Sequence, residues 1–485
     1  MHRFVVRGVR VMLYMEYHLR TVLWDGSFYM RGRNTVRENE HRQTIVLFAL
    51  VVLASSVGNL AQTGLNAMLS SVCAEFGIVE GVGQWLTTSY MLVLGIVVPL
   101  SSYFMGRFRL KDLTLISIAL FAVGALVSAV APSFAVLFLG RLAQAVAAGM
   151  LLPLVQTIAM TRFPDGRKAT AMGVSGIAMG FAPNIGPTIG GAMVESLGWR
   201  SFFWLLVALT VVVGIVCQLA VKRRDDASYP AGFDVLSFVL SALGFGGLLM
   251  GASEVSSYSF AHPFVWAPLI AGAACLFAFV KRQRSLENPL VDLAIFDNRE
   301  FVDGVWALNC LYASFMGITL LVPLYIEGLC GGSAMQAGLV LLPGTVAALI
   351  ANPLAGLLVD KIGARPVTLF FGVCLVVGSC LMVTCDASTP LWAVCAMQGV
   401  RATGVSGLIG PLIAWSLSGL RGRQISDGSG FGTAARQACA SIGCAGMVFF
   451  ACGGALAGEA AFHAAFGLSA AFAIACFAII ALRVK

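Results

Sequence analysis

From Lys168 to Glu195 no charged residue interrupts the chain, and comparable runs recur along nearly its whole length. A helix of about twenty apolar residues crosses the hydrocarbon core of a bilayer. In that solvent every backbone N–H and C=O needs an internal partner, so spans are helices or closed barrels. Uninterrupted runs of this length specify helices. The composition agrees: 59% of the 485 residues are hydrophobic and 11% are charged, whereas a soluble domain carries roughly a quarter charged residues. The expectation is an all-α integral membrane protein.

Charges mark the ends of the runs. They predict spans near 44–69, 84–105, 113–131, 135–160, 171–194, 201–221, 235–253, 264–280, 303–326, 335–358, 367–385, 390–418, 429–453 and 462–482, fourteen in all. The positive-inside rule orients them. With the N-terminus in the cytoplasm, nearly all of the 31 lysines and arginines fall on inner segments. The exceptions are Arg200 on an outer loop and Arg141, Arg401 and Arg436 inside spans. This asymmetry predicts a multi-pass protein of the cell (plasma) membrane with both termini cytoplasmic. The net charge of +8 is then a topology signal, and nucleic acid is not an expected partner.

The thirteen cysteines lie mostly inside spans and form no CxxC or Cys/His cluster. They read as small buried hydrophobes, and neither a metal nor a cofactor is expected. A bridge between Cys73 and Cys330, both expected near the outer face, stays open. Residues 1–42 lack a signal-peptide core and read as a cytoplasmic segment that lies on the membrane surface or precedes a true start at Met30.

Two inner loops repeat. "SSYFMGRFRLKDL" (101–113) and "AGLLVDKIGARPV" (355–367) align at an offset of 254, pairing Ser102 with Gly356, Arg107 with Lys361 and Lys111 with Arg365. Duplicated halves are a common build for secondary transporters, with the substrate site between them near the midplane. We expect a six-helix half over 43–221, two inserted helices with their loops over 222–300, and a second six-helix half over 301–485.

These residues resemble a known family. "GLLVDKIGAR" (356–365) is similar to the loop signature of the major facilitator superfamily. "RLAQAVAAGMLLP" (141–153) resembles its fourth-helix motif, with Ala145 where the motif has Gly. "GFAPNIGPTIGG" (180–191) resembles the fifth-helix antiporter motif, and "NPLVDLAIFDNREF" (288–301) and "GSAMQAGLVLLPG" (332–344) look like segments of the fourteen-helix drug:proton antiporters. The resemblance covers about 44–482. It implies a major facilitator fold of two six-helix halves plus two extra helices, 14 transmembrane helices in all, a monomer that exports drugs in exchange for protons.

Asn59, Gln62, Thr63 and Asn66 fall on one helical face of the first span. That polar stripe is expected to line a substrate cavity, with helix–helix packing as the alternative. Gln84, Thr87 and Thr88 extend it, and Gln144, Asn309 and Arg141 join it. Met91, Trp306, Tyr312 and Phe315 are candidates for apolar contact. A pocket that is polar but uncharged apart from Arg141 suits neutral or anionic amphipathic compounds at least as well as cations.

Resemblance assigns Arg141 a part in proton coupling; a structural Arg tied to carbonyls of the first helix is the alternative. Arg401 and Arg436 read as structural. Relatives often carry an Asp in the first span, but Ala61 stands at that position, and no acid lies deep in the first six spans. Asp303 and Glu327, at the two ends of the ninth span, are the remaining candidates for carrying a proton.

The loop residues Gly356, Asp360, Lys361, Gly363 and Arg365 are expected to form a cytoplasmic gate, with Asp360 and Arg365 contacting the end of a neighbouring helix. In the first copy Gly106 replaces the Asp and Arg109 the Gly, so that gate should differ. Gly173, Gly176, Gly180, Pro183, Pro187 and Gly190 recur at spacings of three and four and make a smooth face on a bent fifth helix, where Gly186 and Gly190 form a GxxxG pair and Gly191 ends the antiporter-like motif. We expect that face to pack against a partner in the other half.

The functional expectation is a secondary active transporter that exports small amphipathic compounds by alternating access, coupled to protons. The alternative is a proton-linked or uncoupled transporter of one metabolite. An enzyme is not expected, because all five histidines lie near loops or ends.

Overall fold

The computed structural model describes residues 34–222, 234–254, 263–286, 289–332, 334–452 and 458–484. Most of the 1–42 segment lies outside the described residues. Helices dominate in chain order. α1 runs Asn34–Gly64, passes a tight turn at Leu65–Met68 and continues over Leu69–Phe76. α2 is Trp85–Arg107, α3 Leu110–Ala129 and α4 Phe134–Arg162. α5 is Lys168–Gly176, a π-helical turn at Ile177–Phe181, and Ala182–Leu197. α6 is Trp199–Ala220, α7 Val235–Glu254 and α8 Pro263–Gln283. α9 is Arg299–Pro323 with a π-helical end at Leu324–Leu329. α10 is Ala334–Ile362, α11 Ala364–Val383, α12 Leu391–Ser418, α13 Arg423–Cys452 and α14 Glu459–Arg483.

By length and hydropathy, 11 described helices can cross a membrane, and 12 if α2, bent by 51°, counts as one span. Two expected spans fall short of that measure. α7 is apolar only over Val235–Gly251. α5 is divided by its π turn, and Pro183 explains the division. A proline there cannot donate to the carbonyl one turn back, and a wider turn absorbs the mismatch.

The helices form two groups. In the first, α3 packs on α4 and α6, α2 on α4, and α1 on α4, α5 and α6. In the second, α12 packs on α10, α11 and α9, and α14 on α9 and α11. α7 and α8 pack on each other, with Gly247 against Gly272, and α7 also touches α2 and α13. Ser237, Ser241 and Gly244 lie on α7's packed face: both serines are buried, and a Cβ at Gly244 would meet Leu276 of α8.

One end of the bundle carries the loops with Arg107, Arg109, Arg167, Lys168, Lys361 and Arg365; we call it the basic end. The groups touch chiefly in that half, through α5 with α10 and α12 and through α13 with α2 and α4.

Candidate functional site

The glycine face of α5 serves two partners, which corrects the expectation of one. Toward the basic end, a Cβ at Gly173 would sit 2.5 Å from the Asn352 carbonyl oxygen and 3.1 Å from the Gly356 Cα, both on α10. A Cβ at Gly410 of α12 would lie 2.8 Å from the Gly173 Cα. Three helices from two groups therefore meet at backbone contact. Gly180 extends this contact, 3.3 Å from the Asn352 amide. Past the π turn the face meets α1 of its own group. A Cβ at Gly190 would lie 2.5 Å from the Gly64 carbonyl oxygen, and one at Gly186 would strike the Thr63 hydroxyl. Gly191 is looser, 3.9 Å from Ala67; Pro183 is half-buried and Pro187 exposed.

Asp360 closes the basic end of this seam. Its Oδ2 accepts from the Thr170 backbone N–H at 2.7 Å and from the Thr170 hydroxyl at 2.5 Å. Its Oδ1 accepts from the Ala169 N–H at 3.3 Å. Those amides belong to the first turn of α5, where N–H groups have no partner within the helix, so a carboxylate is favoured there by both hydrogen bonding and the helix dipole. Gly356 brings the backbones together, and Gly363, at φ +92°, makes the turn into α11. Lys361 and Arg365 are exposed.

The other loop works differently. Lys111, aligned with Arg365, turns to the end of α6 and donates to the Gln218 and Val221 carbonyls at 3.1 and 2.5 Å. With Gly106 in place of the carboxylate, the start of α13 is held by a strap from the inserted helices. Asp427 of α13 is fully buried; its Oδ2 accepts from the Asp292 N–H at 2.9 Å and lies 3.5 Å from Arg423. Arg423 donates to the Pro289 and Leu290 carbonyls, and Gln283 of α8 holds the Val291 N–H at 3.1 Å. Gln283 also donates to Ser237, and Arg282 and Ser237 both donate to Asp234. Those two donors hold the Asp234 carboxyl well below the usual carboxylate range.

The polar stripe divides by depth. Asn59 and Gln62 are buried, and Asn59 donates to the Ser55 carbonyl at 3.1 Å. Thr63 donates back to the Asn59 carbonyl. Farther from the basic end, Asn66 is exposed and accepts from Thr87 at 3.0 Å, Thr88 is half-buried and Gln84 is exposed at the start of α2. Polar groups thus become accessible toward the end opposite the basic one.

Arg141 is completely buried. It donates to the Ala61 carbonyl at 3.1 Å and to Gln144 at 2.9 Å, and it stacks on the Tyr90 ring at 4.3 Å. Arg401 repeats this in the second group, donating to the Ser314 carbonyl at 2.7 Å. Each arginine joins the fourth helix of its group to the first. Asn309 is buried with its Oδ1 unpartnered. Tyr312 and Phe315 are buried and Met91 half-buried, but Trp306 is 60% exposed and points away from the bundle, a correction to its placement near the cavity. A tryptophan near a basic helix end suits the membrane interface. Asp303 lies 3.6 Å from Arg483, and Glu327 is exposed on the π-helical end of α9. No disulfide joins Cys73 to Cys330.

Sequence reasoning missed a polar chain that crosses the seam in the half nearer the basic end. Gln156 of α4 donates to the Thr433 hydroxyl of α13 at 3.2 Å. Ser429 donates to the Pro153 backbone carbonyl at 3.0 Å, and its hydroxyl lies 3.1 Å from the Gln156 side-chain Oε1. Arg436 donates to Thr433 at 2.7 Å. An amide and an arginine inside apolar runs were the available signal; their pairing across helices far apart in sequence was not.

Two helical groups that meet at one end, with polar side chains opening toward the other, define a membrane carrier. The chain belongs to the major facilitator superfamily: the family profile matches residues 50–444. It is 36% identical over 413 residues to the uncharacterized MFS-type transporter YhcA of Bacillus subtilis (strain 168), covering 85% of this chain and 76% of that protein. It is 30% identical over 401 residues to the lincomycin resistance protein LmrB of Listeria monocytogenes, covering 83% and 85%. The fold is similar to that of the proton:xylose symporter XylE, at a TM-score of 0.65 and 13% identity, over 92% of this chain and 96% of that one.

Proposed function

We propose that this transporter exports small amphipathic compounds by alternating access, in exchange for protons. One observation carries the reading: the two groups are clamped at the basic end by Asp360 on Thr170, while Asn66 and Gln84 stand exposed toward the opposite end. That is the arrangement of a carrier closed toward one side of the membrane. Kinship with a lincomycin resistance protein favours export of drug-like compounds.

The reading includes fourteen spans, with residues 43–221 and 301–485 as the two halves and 222–300 as an inserted pair. The basic end faces the cytoplasm, with both termini on that side of the cell membrane, and the carrier works as a monomer. Asn59, Gln62, Thr63, Asn66, Gln84, Thr88, Gln144 and Asn309 line the route. Gly356, Asp360, Lys361, Gly363 and Arg365 form the gate.

For proton coupling, Asp303, Glu327 and Arg141 are the candidates. Of these Asp303 fits best, because its pairing with Arg483 ties α9 to α14 at the basic end and would break on protonation. The test is transport into proteoliposomes with an imposed pH gradient, across a broad panel of dyes and drugs. Movement of none of them would end the drug-export reading. Movement that ignores the gradient would leave export and remove proton coupling. A profile restricted to one metabolite would favour the narrower transporter, a reading supported by Ala61 at the place where relatives often carry an acid.

A further inference from the structure

Three arginines lie inside the helices at membrane depth, and they are not equivalent. Arg141 and Arg401 form a matched pair. Each is enclosed in its own group, at 0% and 1% exposure, and each donates to a carbonyl of that group's first helix. These contacts repeat with the fold. Arg436 has no such twin: α5, the fifth helix of the first group, carries no charged residue between Lys168 and Glu195. It stands at the seam rather than within one group, because the Thr433 hydroxyl it donates to also accepts from Gln156 of the first group.

Among the described residues no carboxylate pairs with Arg436, nor with Arg141 or Arg401; its place at the seam is what sets it apart. A guanidinium offers five N–H donors and no acceptor. Its hydrogen-bond partner Thr433 is neutral, and the ring of Tyr312 lies 5.7 Å away. The elements packed on α13 include α2, α4, α7, α9 and α14. Within them acidic residues occur only toward the ends, at Asp303 and Glu300 of α9, Glu254 of α7 and Glu459 of α14. On α13 itself Asp427 is nine residues away, committed to the strap. An uncompensated cation at membrane depth is costly, and such residues mark substrate and ion pathways.

We propose that Arg436 is the seat of a negative charge on the transported compound, so that the substrate class is amphipathic organic acids, carboxylates or sulfonates with an apolar or aromatic body. The proposal rests on the export reading above. The head group binds the guanidinium, for which a planar carboxylate or a sulfonate has the matching geometry. Tyr312 and Phe315, their ring centroids 6.3 Å apart, offer the body an aromatic wall. Asn309 lies at the register of Arg436: Gly428 faces Phe301 and Gly432 faces Val305, so the next turn pairs residue 436 with residue 309.

The experiment uses the full chain in neutral detergent and two probes of one ring system, naphthalene-2-sulfonate and 2-naphthyltrimethylammonium. Binding is read by ligand-induced shift of thermal unfolding. The sulfonate should bind at least about tenfold more tightly than the cation, Arg436→Lys should keep the preference, and Arg436→Gln should reduce it to about twofold or less. Asn309→Asp, which builds a counter-ion beside Arg436 without changing side-chain volume, should abolish the preference too, and it carries the test if Arg436→Gln does not fold. Equal binding of both probes by the unaltered protein overturns the proposal, as does a preference that survives Arg436→Gln or Asn309→Asp. Proteoliposomes separate the two levels. Export of cationic but not anionic amphiphiles sinks this inference and leaves the export reading standing; export of neither class sinks both.

Discussion

The two contacts that close the basic end are built from repeated sequence, yet they hold in different ways. Between α10 and α5, one carboxylate does the work directly: Asp360 accepts from three donors at the start of α5. Between α2 and α13 the carboxylate is missing, replaced by Gly106. There Asp427 is buried inside the contact, and residues 289–292, delivered by the inserted helices, strap the start of α13. Repeated sequence therefore need not carry repeated chemistry. The first contact depends on two helices, the second on four elements, and α7 and α8 thereby gain a structural part in the contact although they lie outside both groups.

The largest test of this contrast is Asp360→Ala. It removes a charged acceptor from two amides and a hydroxyl, and hydrogen bonds to charged groups contribute about 1.5–3 kcal/mol each. Hydrogen exchange at Ala169 and Thr170 should accelerate by at least about tenfold, with a comparable fall in transport rate. Unchanged exchange would remove Asp360 from the clamp.

Next in size are two glycines of α5 that sit on opposite sides of the π turn. Gly173→Ala would drive a methyl into the backbone of α10, and Gly186→Leu would drive a side chain into α1. Overpacking of this kind costs about 1–3 kcal/mol. The Gly173 variant should keep its thermal stability within each group while favouring a state opened at the basic end, read by proteolysis of the loops there. The Gly186 variant should lower the unfolding temperature. Identical behaviour of the two would erase the division of α5 into a seam between groups and a packing face within one.

Asp427→Ala should cost less than Asp360→Ala in transport, because Arg423 keeps its bonds to the Pro289 and Leu290 carbonyls. Leaving the Asp292 N–H without its acceptor costs about 1–3 kcal/mol. Adding Gly106→Asp should recover part of the loss by restoring a carboxylate to the first loop. Failure of that rescue, with Asp360→Ala behaving as expected, would show that the strap and the clamp are not interchangeable.

The smallest effect belongs to Asp234→Asn at the far end of the strap. The Asp234–Arg282 pair is partly exposed, and such pairs contribute about 0–1 kcal/mol. Because the folded carboxyl is held below its usual range, its contribution is present above the unfolded value and is lost as pH falls through the folded one. The unfolding temperature should drop by about 1–3 °C at neutral pH, and the gap between variant and parent should close under strong acid.

Much of this arrangement was legible in the residues. Charge-free runs gave the helices, because lipid leaves the backbone no other way to satisfy its hydrogen bonds. The matched loops 101–113 and 355–367 pointed to a repeat, and Arg141 and Arg401 each hold the first helix of their group in the same way. Spacing placed Gly173 through Gly190 on one face, since helical periodicity is local. The face's partners were not legible: Asn352 and Gly356 on one side of the π turn, Gly64 on the other. Nor was the outward turn of Trp306, since a single aromatic in an apolar run carries no sign of which side meets lipid.

The sequence by itself determined the solvent, the helices, the repeat and the departure from it at Gly106, because each follows from hydrogen bonding, periodicity or charge over short stretches of chain. Which arginine stands at the seam was settled by the tertiary structure alone. Arg141, Arg401 and Arg436 look alike in their runs, but two are enclosed in their own group against a carbonyl of its first helix, and the third shares Thr433 with Gln156 of the other group. The surroundings of a buried charge are set by what other helices bring to it: the carbonyls that hold Arg141 and Arg401 lie 80 and 87 residues away, and Gln156 lies 277 residues from the Thr433 that holds Arg436.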